Sequence, residues 1–209
     1  MSTIGIIDYG MGNLHSLSRA LSRAAGEMRV EVSYDPDKLR KANRLVLPGV
    51  GGVGHCMREL GRLELDEFVR ETVGQVPIMG ICLGMQALLD YSEENNGVDA
   101  LGVFPGEVRR FAKAAQRKVP HMGWNRVRFE REHPLWRGIE QDAWFYFVHS
   151  YFARPLRDEQ IIGSTEYGGE RFCSALLRDG VFATQFHPEK SQNAGMQMLV
   201  NFVNWDGEA

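Results

Sequence analysis

Hydrophobic positions in the first half of the chain alternate between short strand-like runs and helical spacings. The strand-like runs cover residues 3–8, 29–34, 44–52 and 76–81. Between the first two, apolar side chains recur every three or four positions from Leu14 to Ala24, and Gly26 follows as a stop signal. Similar helical spacing continues from Met57 to Val73, and residues 83–91 are expected to form another helix. Because buried parallel strands are mostly apolar runs, this alternation predicts an α/β fold with a mostly parallel central sheet and helices on both faces.

Short strand-like runs separated by turn residues fill most of the second half of the chain. These runs are residues 99–104, 107–111, 125–130, 143–153, 160–167, 172–180 and 181–188. We expect antiparallel strands that extend the parallel sheet, followed by a final amphipathic helix that carries Met196, Leu199 and Val203. The chain has no repeat, linker or low-complexity segment, so we expect one domain over residues 1–209.

Composition and charge exclude several classes of protein. A net charge of −3 over 209 residues offers no positive field for nucleic acid. The three cysteines are few, odd in number and widely spaced, which disfavours a disulfide framework and indicates a reducing compartment. There is no CxxC pair for a structural zinc ion. The N-terminus lacks a secretion signal, and the longest apolar stretch, residues 77–89, falls short of the roughly 20 residues that span a membrane. We therefore expect a cytoplasmic protein without membrane association.

A cluster of basic residues in the middle of the chain has two interpretations, an anion-binding or docking face, or a solvated loop. The cluster consists of Arg109, Arg110, Lys113, Arg117 and Lys118. On sequence alone the solvated loop is the better interpretation, because runs of like charge are most often solvated.

The segment GICLG, residues 80–84, places Cys82 between two glycines at a predicted strand-to-helix junction. A nucleophile elbow has this form, because glycines let neighbouring backbone approach a sharply turned residue. The following helix would favour a thiolate, and a backbone N–H after the nucleophile could meet an oxyanion. The alternative is a small buried apolar residue, and this is the interpretation that we assign to Cys56 and Cys173.

A thiol nucleophile needs a base and a group that orients the base. His187 in TQFHPEKS stands out because Glu189 follows two residues later, which on an extended segment puts both side chains on one face. We expect Pro188 to keep this segment extended and stiff. His149 is a rival base. Together, the cysteine elbow and the His-x-Glu pattern favour a Cys82–His187–Glu189 triad.

At these residues the chain resembles a known family. The segments GICLGMQ and HPEKS are similar to those of class-I, triad-type glutamine amidotransferases. Four further segments, IDYGMGN, LPGVGG, PHMGWN and YFVHSY, resemble the glutaminase-subunit family of imidazole glycerol phosphate synthases. The resemblance extends from Ile7 to Ser191 and includes six motifs in order, so it is specific.

The resemblance implies a glutaminase mechanism. Cys82 attacks the side-chain amide of glutamine, His187 passes a proton to the departing ammonia, and Glu189 holds His187 in place. The N–H groups of Val50 and Leu83 would stabilise the oxyanion. In this family, a flip of the glycine-flanked Val50 peptide accompanies activation by a partner. The positions that match the glutamine pocket are Gly49, Gly51, Gln86, His149, Ser150 and Tyr151.

The resemblance also implies a partner. In this family the partner is a cyclase subunit, a (β/α)₈ barrel that forms a heterodimer with the glutaminase and receives its ammonia. The products are imidazole glycerol phosphate and an aminoimidazole carboxamide ribonucleotide. The reaction is a step of histidine biosynthesis. Positions matching the interface are Asn13, Trp124, Asn125 and Lys190. No metal or organic cofactor is needed for the glutaminase half.

Three alternatives remain open on sequence alone. A paralogue with the same motifs could supply ammonia to another synthase, such as one that makes a surface-sugar amidine. A non-hydrolytic binding subunit could use Cys82 to sense oxidation, although the His187 and Glu189 pattern argues against it. A cysteine-elbow peptidase or deglycase would usually place its histidine directly after the cysteine, where this chain has Leu83.

Overall fold

Thirteen strands and six α-helices make up the described part of the chain, residues 2–208, in a computed structural model. Met1 and Ala209, the two ends of the expected 1–209 domain, lie outside the described residues. The strands are β1 (Thr3–Ile7), β2 (Arg29–Ser33), β3 (Arg44–Leu47), β4 (Ile78–Ile81), β5 (Leu89–Ser92), β6 (Val98–Asp99), β7 (Phe104–Arg110), β8 (His121–Phe129), β9 (Ala143–His149), β10 (Tyr151–Pro155), β11 (Ile161–Tyr167), β12 (Glu170–Arg178) and β13 (Val181–Thr184). The helices are α1 (Leu14–Ala24), α2 (Pro36–Leu39), α3 (Val53–Arg62), α4 (Leu65–Thr72), α5 (Leu83–Ala87) and α6 (Gln192–Asn204).

Five parallel strands form the centre of the sheet, in the order β2-β1-β3-β4-β13. Beyond β13 the sheet continues through the antiparallel strands β12, β10 and β7, and β5 and β6 follow. Strand β11 pairs with β12, and β8 and β9 follow from it. This topology confirms the predicted parallel sheet with an antiparallel extension.

Side chains of the central strands alternate between two hydrophobic cores. Ile4 and Ile6 of β1 are fully buried in a core shared with α1 and α6, whereas Ile7 lies in the core shared with α3 and α4. Successive side chains of a strand point to opposite faces, so one short apolar run supplies both cores. The predicted helices on both faces are therefore confirmed. None of the helices in residues 2–208 is long and apolar enough to cross a membrane.

The expected helix over residues 83–91 is wrong in its second half. Helix α5 ends at Ala87, and β5 begins at Leu89. The carbonyl oxygen of Ala87 accepts a hydrogen bond from the N–H of Leu101 at 2.9 Å, and that of Leu88 accepts from Phe104 at 2.9 Å. Because pairing with residues 101–104 uses carbonyls that a longer helix would need, tertiary contacts override the local helical pattern.

Two of the expected strands are divided. The run 143–153 breaks at Ser150 into β9 and β10, which pair with different neighbours. In the run 99–104, β6 ends at Asp99 and β7 starts at Phe104, and Gly102 between them has a φ of 70° that no strand adopts. Each break takes the chain from an edge strand, β9 or β6, to an interior strand, β10 or β7.

The interpretation of the basic cluster as a solvated loop is wrong for Arg117, whose side chain is buried. For Arg109 and Arg110 the predicted exposure holds, but the predicted loop is wrong. Arg109 and Arg110 lie at the end of β7, and Arg109 pairs with acidic neighbours. The Arg117 side chain is only 7% exposed, forms an ion pair with Glu170 at 2.6 Å and donates to the carbonyl of Gly168. Arg117 thus contacts the turn at residues 168–170, which lies about 50 positions away and cannot be predicted from the local sequence. The other four members, Arg109, Arg110, Lys113 and Lys118, are exposed, as predicted.

Candidate active site

A cavity of about 300 Å³ lies beyond the carboxyl ends of the parallel strands, where open α/β sheets usually bind ligands. Strand β3 leads into it at Val50, β4 at Cys82 and β13 at His187. A larger cleft of about 680 Å³ is lined by residues between Phe129 and Gln141 and has no cysteine among them. The lining residues of the smaller cavity are Val50, Gly51, Cys82, Leu83, Gln86, Glu94, Pro120, Val148, His149, Ser150, Tyr151 and His187.

Cys82 sits at a sharp turn between β4 and α5. Its backbone has a φ of 54° and a ψ of −106°, a conformation that costs energy for a residue with a side chain. The turn is held by a hydrogen bond of 2.7 Å from the Cys82 N–H to the carbonyl of Thr184. Leu83 is the first residue of α5, so its N–H has no acceptor within the helix. This geometry has the form of the predicted elbow.

The elbow also depends on the absence of a side chain at Gly84. A Cβ atom there would lie 2.0 Å from the carbonyl oxygen of Leu47 in β3. We expect Gly84→Ala to lower the free energy of unfolding by about 3 kcal/mol, because neither backbone segment can retreat cheaply. Gly61→Ala in α3 is the matched control, since a Cβ there has no neighbour within 4 Å, and it should be neutral or stabilising. Urea unfolding measures both, and equal stability of the two variants would contradict this packing argument.

His187 and Glu189 form a buried pair. The Nδ1 atom of His187 lies 2.8 Å from Oε1 of Glu189, and the side chains are 2% and 4% exposed. Among residues 2–208, no hydrogen-bond partner meets the Nε2 atom of His187, and His187 lines the cavity with Cys82. One nitrogen is therefore oriented by a carboxylate while the other remains available, as a general base requires.

The expectation that Pro188 keeps this segment extended is wrong. Residues Pro188–Lys190 form a 3₁₀ turn. The fixed φ of proline suits the first position of a helical turn as well as an extended chain. The turn still brings Glu189 to His187, so the pairing follows from a different backbone than the one we expected.

Two opposing influences set the pKa of His187. Burial lowers it, but the neighbouring Cys82 and Glu189 outweigh burial and raise the pKa from its ordinary 6.5 to about 10. The proton thus stabilises the folded state fully below pH 6.5, and this contribution is lost as the pH rises through about 10. Near neutral pH the imidazole keeps a proton that it can pass to a leaving group.

His149, the rival base, has both ring nitrogens occupied. Its Nδ1 donates to the carbonyl of Tyr151 at 2.7 Å, and its Nε2 lies 3.0 Å from Nδ1 of His121. Burial lowers the pKa of His149 to about 3 despite the contact with Tyr151, and burial lowers that of His121 to about 4. His149 is therefore neutral and committed to its partners, whereas His187 has an available ring nitrogen and lines the cavity.

The segment after β3 packs tightly against the start of α5. A Cβ on Gly49 would lie 2.6 Å from Cβ of Leu83 and equally close to the hydroxyl oxygen of Tyr9. That hydroxyl donates to the carbonyl of Pro48 at 2.6 Å. Val50 is 38% exposed and lines the cavity with Leu83, so the two predicted oxyanion donors share one cavity. Gly49 itself does not line the cavity, but it packs against Leu83, which does.

Glu94 is a lining residue that the sequence analysis missed. Its Oε2 accepts a hydrogen bond of 2.8 Å from the N–H of Val53, the first residue of α3. Among the described residues that line the cavity, Glu94 is the one with a carboxylate side chain. Glu94 stands in an ordinary polar turn, EENNG, and has no local signal that separates it from its neighbours. The other missed positions are Pro120, Val148 and the buried Gln185.

The residues predicted to contact a partner divide into two sets. Trp124 is 42% exposed and lies 6.1 Å from the ring of Tyr146, and Nζ of Lys190 lies 5.9 Å from the same ring. Asn125 points to the other face of β8, where its Nδ2 donates to the carbonyl of Glu166 at 2.9 Å. Asn13 is exposed at the start of α1. The structure therefore groups Trp124 with Lys190 but separates both from the Asn125 side chain.

Comparison with known proteins identifies the family by sequence and the fold by structure. The family model described as glutamine amidotransferase class-I matches residues 5–205. The imidazole glycerol phosphate synthase subunit HisH of Nitrosococcus oceani is 52% identical, and the match covers 99% of each chain. The subunit HisH 1 of Pseudomonas aeruginosa is also 52% identical over 99% of each chain. Among solved structures, PurLQS from Thermotoga maritima has the same fold, with a TM-score of 0.75 at 18% identity over 97% of this chain and 98% of that one.

Proposed function

The chain belongs to the class-I glutamine amidotransferase family, and we propose that it is the glutaminase subunit of an imidazole glycerol phosphate synthase in histidine biosynthesis. The observation that carries the proposal is the shared cavity of Cys82 and His187, with Glu189 oriented behind His187. Relatives half identical over their full length carry that synthase name, which favours the histidine pathway over a surface-sugar synthase. A peptidase, a deglycase or a redox-sensing subunit has no such support.

The reaction uses Cys82 as the nucleophile. Its thiolate attacks the side-chain carbonyl carbon of glutamine, and the resulting tetrahedral intermediate expels the amide nitrogen as ammonia with a proton from His187. The product on the enzyme is a glutamyl thioester. Neutral His187 then takes a proton from water, which attacks the thioester and releases glutamate and the Cys82 thiol. Glu189 keeps the imidazole oriented throughout.

The oxyanion of each intermediate is stabilised by the N–H groups of Val50 and Leu83. Removing one such donor typically costs about 10²–10³-fold in rate. Gly51 has a φ of 96°, and Val50 is partly exposed, which supports a peptide that can change orientation at this segment. A partner that fixes this peptide would switch glutaminase activity on.

Glu94 would recognise the α-ammonium group of glutamine, since among the described residues it supplies the carboxylate that lines the cavity. We expect Glu94→Gln to raise KM for glutamine about tenfold, because a charge-assisted contact is replaced by a neutral one. The amide oxygen can still accept from Val53, so kcat should change little. Steady-state kinetics of glutamate release measure both constants. Glu93→Gln is the matched control, because Glu93 pairs with Arg109 outside the cavity, and an equal KM effect in both variants would refute the assignment.

The partner is a cyclase subunit that receives ammonia directly, because ammonia released into neutral water is mostly protonated and no longer nucleophilic. We place the heterodimer contact on the face around Trp124 and Lys190, with Asn13 as a further candidate. Asn125 would contribute through its backbone, because its side chain lies on the other face of β8. Aromatic side chains such as Trp124 are typical anchors of interfaces. We further propose one domain over residues 1–209 and a cytoplasmic location, supported by the three buried, unbridged cysteines.

Glutamate release tests this function. It is measured for the chain alone, then with a histidine-pathway cyclase, and then with the cyclase and its nucleotide substrate. Slow release alone and a large increase with cyclase and nucleotide would support the proposal. No release in the presence of both would overturn it.

A further inference from the structure

Gln185 contacts the sulfur of Cys82 but has no place in the triad. It follows β13, is fully buried, and its Nε2 lies 3.6 Å from Sγ of Cys82. This distance suits a hydrogen bond to sulfur, whose acceptor radius is larger than that of oxygen. Gln185 stands two residues before His187, so the same stretch of chain presents an amide and an imidazole near one thiol.

The orientation of the Gln185 amide is fixed by its neighbours. Its Oε1 accepts from Nε2 of Gln86 at 2.9 Å, and that same Gln86 nitrogen donates to the carbonyl of Tyr151 at 2.9 Å. A backbone carbonyl can only accept, so the Gln86 atom facing it must be the nitrogen. Gln185 must then turn its oxygen to Gln86 and its N–H₂ to Cys82.

Beyond the Tyr151 carbonyl, an array of hydrogen bonds runs through His149 and His121 to Asn125, and the donor and acceptor of each bond are fixed. Tyr151 O also accepts from Nδ1 of His149, so a neutral His149 has a bare Nε2 that must accept from Nδ1 of His121. The bare Nε2 of His121 in turn lies 3.3 Å from Nδ2 of Asn125. Burial keeps both imidazoles neutral.

We propose that Gln185 is a catalytic residue that donates an N–H to the Cys82 thiolate. Its amide is held in that orientation by Gln86 and the Tyr151 carbonyl, whose position the hydrogen bonds of His149 and His121 support. The inference rests on the proposed glutaminase function. An N–H donor favours a thiolate over a thiol. In a cavity with restricted water, a donor of fixed direction needs no reorganisation when the sulfur becomes charged.

The test combines thiol reactivity with catalysis. We expect Gln185→Met to move the midpoint pH of Cys82 alkylation by iodoacetamide upward by about one unit, because loss of one donor corresponds to about a tenfold change in the thiol–thiolate equilibrium. Peptide mass spectrometry identifies Cys82 as the alkylated residue. In the complex with the cyclase, kcat for glutamine should fall about tenfold or more while KM stays within about threefold. Ammonia-driven synthesis by the same complex should be unchanged, because the cyclase carries out that step. Co-purification of the variant with the cyclase shows that it folds and binds its partner.

Two further variants sharpen this test. Gln185→Glu places a carboxylate beside the thiolate and should raise the alkylation midpoint beyond that of Gln185→Met. Gln160→Met is the matched control, since Gln160 is 4% exposed and lies outside the cavity, and its midpoint should equal that of the wild type. Equal midpoints for Gln185→Met, Gln160→Met and wild type would overturn the role of Gln185. Because alkylation needs no glutamine, a wild type without glutaminase activity would refute the proposed function separately.

His121→Phe tests the distant part of the array, because it removes the donor to His149 while keeping a ring against Tyr167. We expect a smaller shift of the alkylation midpoint in the same direction as for Gln185→Met. An unchanged midpoint would overturn the contribution of the array beyond Gln86.

Discussion

Replacing Cys82 with alanine should reduce glutamate release from glutamine by about 10⁴-fold or more, because removal of a nucleophile leaves only binding and oxyanion stabilisation. Synthesis driven by added ammonia in the complex with the cyclase should continue, since that half-reaction does not use the thiol. The measurement is a paired assay of one preparation, with glutamine and then with an ammonium salt as the nitrogen source.

Cys173→Ala provides the control for this experiment. Cys173 is buried in β12, and burial raises the pKa of its thiol, so it is held as an unreactive thiol. Its variant should keep glutamine hydrolysis. If Cys82→Ala lost synthesis from ammonia as well as from glutamine, the assigned division of labour between the two subunits would fail.

His187→Ala should also lose about 10⁴-fold in glutamine hydrolysis, because the proton donor to ammonia and the acceptor from water disappear together. Glu189→Ala should lose less, by about one to two orders of magnitude, since the imidazole remains and only its orientation and raised pKa are impaired. The comparison is made on kcat/KM for glutamate release in the complex with the cyclase. A larger loss for Glu189→Ala than for His187→Ala would contradict their roles.

The fold class could be predicted because buried strands and amphipathic helices differ in the spacing of apolar residues. Ile4, Ile6 and Ile7 in β1 satisfy two cores at once, which only a sheet covered on both faces requires. Where α5 ends could not be predicted in this way. That boundary depends on carbonyls paired with residues about fourteen positions away, and such pairing leaves no local trace.

The candidate site divides along the same line. Cys82, His187 and Glu189 occur in short motifs whose backbone requirements are visible in the sequence, namely flanking glycines and a fixed two-residue offset. Glu94 reaches the cavity, and Gln185 reaches the Cys82 sulfur, only through tertiary structure. Their sequence neighbours are ordinary polar or apolar residues, so nothing local separates them from surface or core positions. The prediction of an extended backbone at Pro188 is wrong, because proline fits both an extended chain and the first position of a 3₁₀ turn.

The central claim, that Cys82 is the nucleophile of a glutamine site, is tested most directly by covalent labelling with a diazoketone analogue of glutamine. The complex with the cyclase is incubated with the analogue, and intact mass and peptide mapping locate the adduct. We expect one adduct per glutaminase chain, on Cys82, formed more slowly when excess glutamine is present. An adduct on Cys56 or Cys173, or labelling that excess glutamine does not slow, would contradict it.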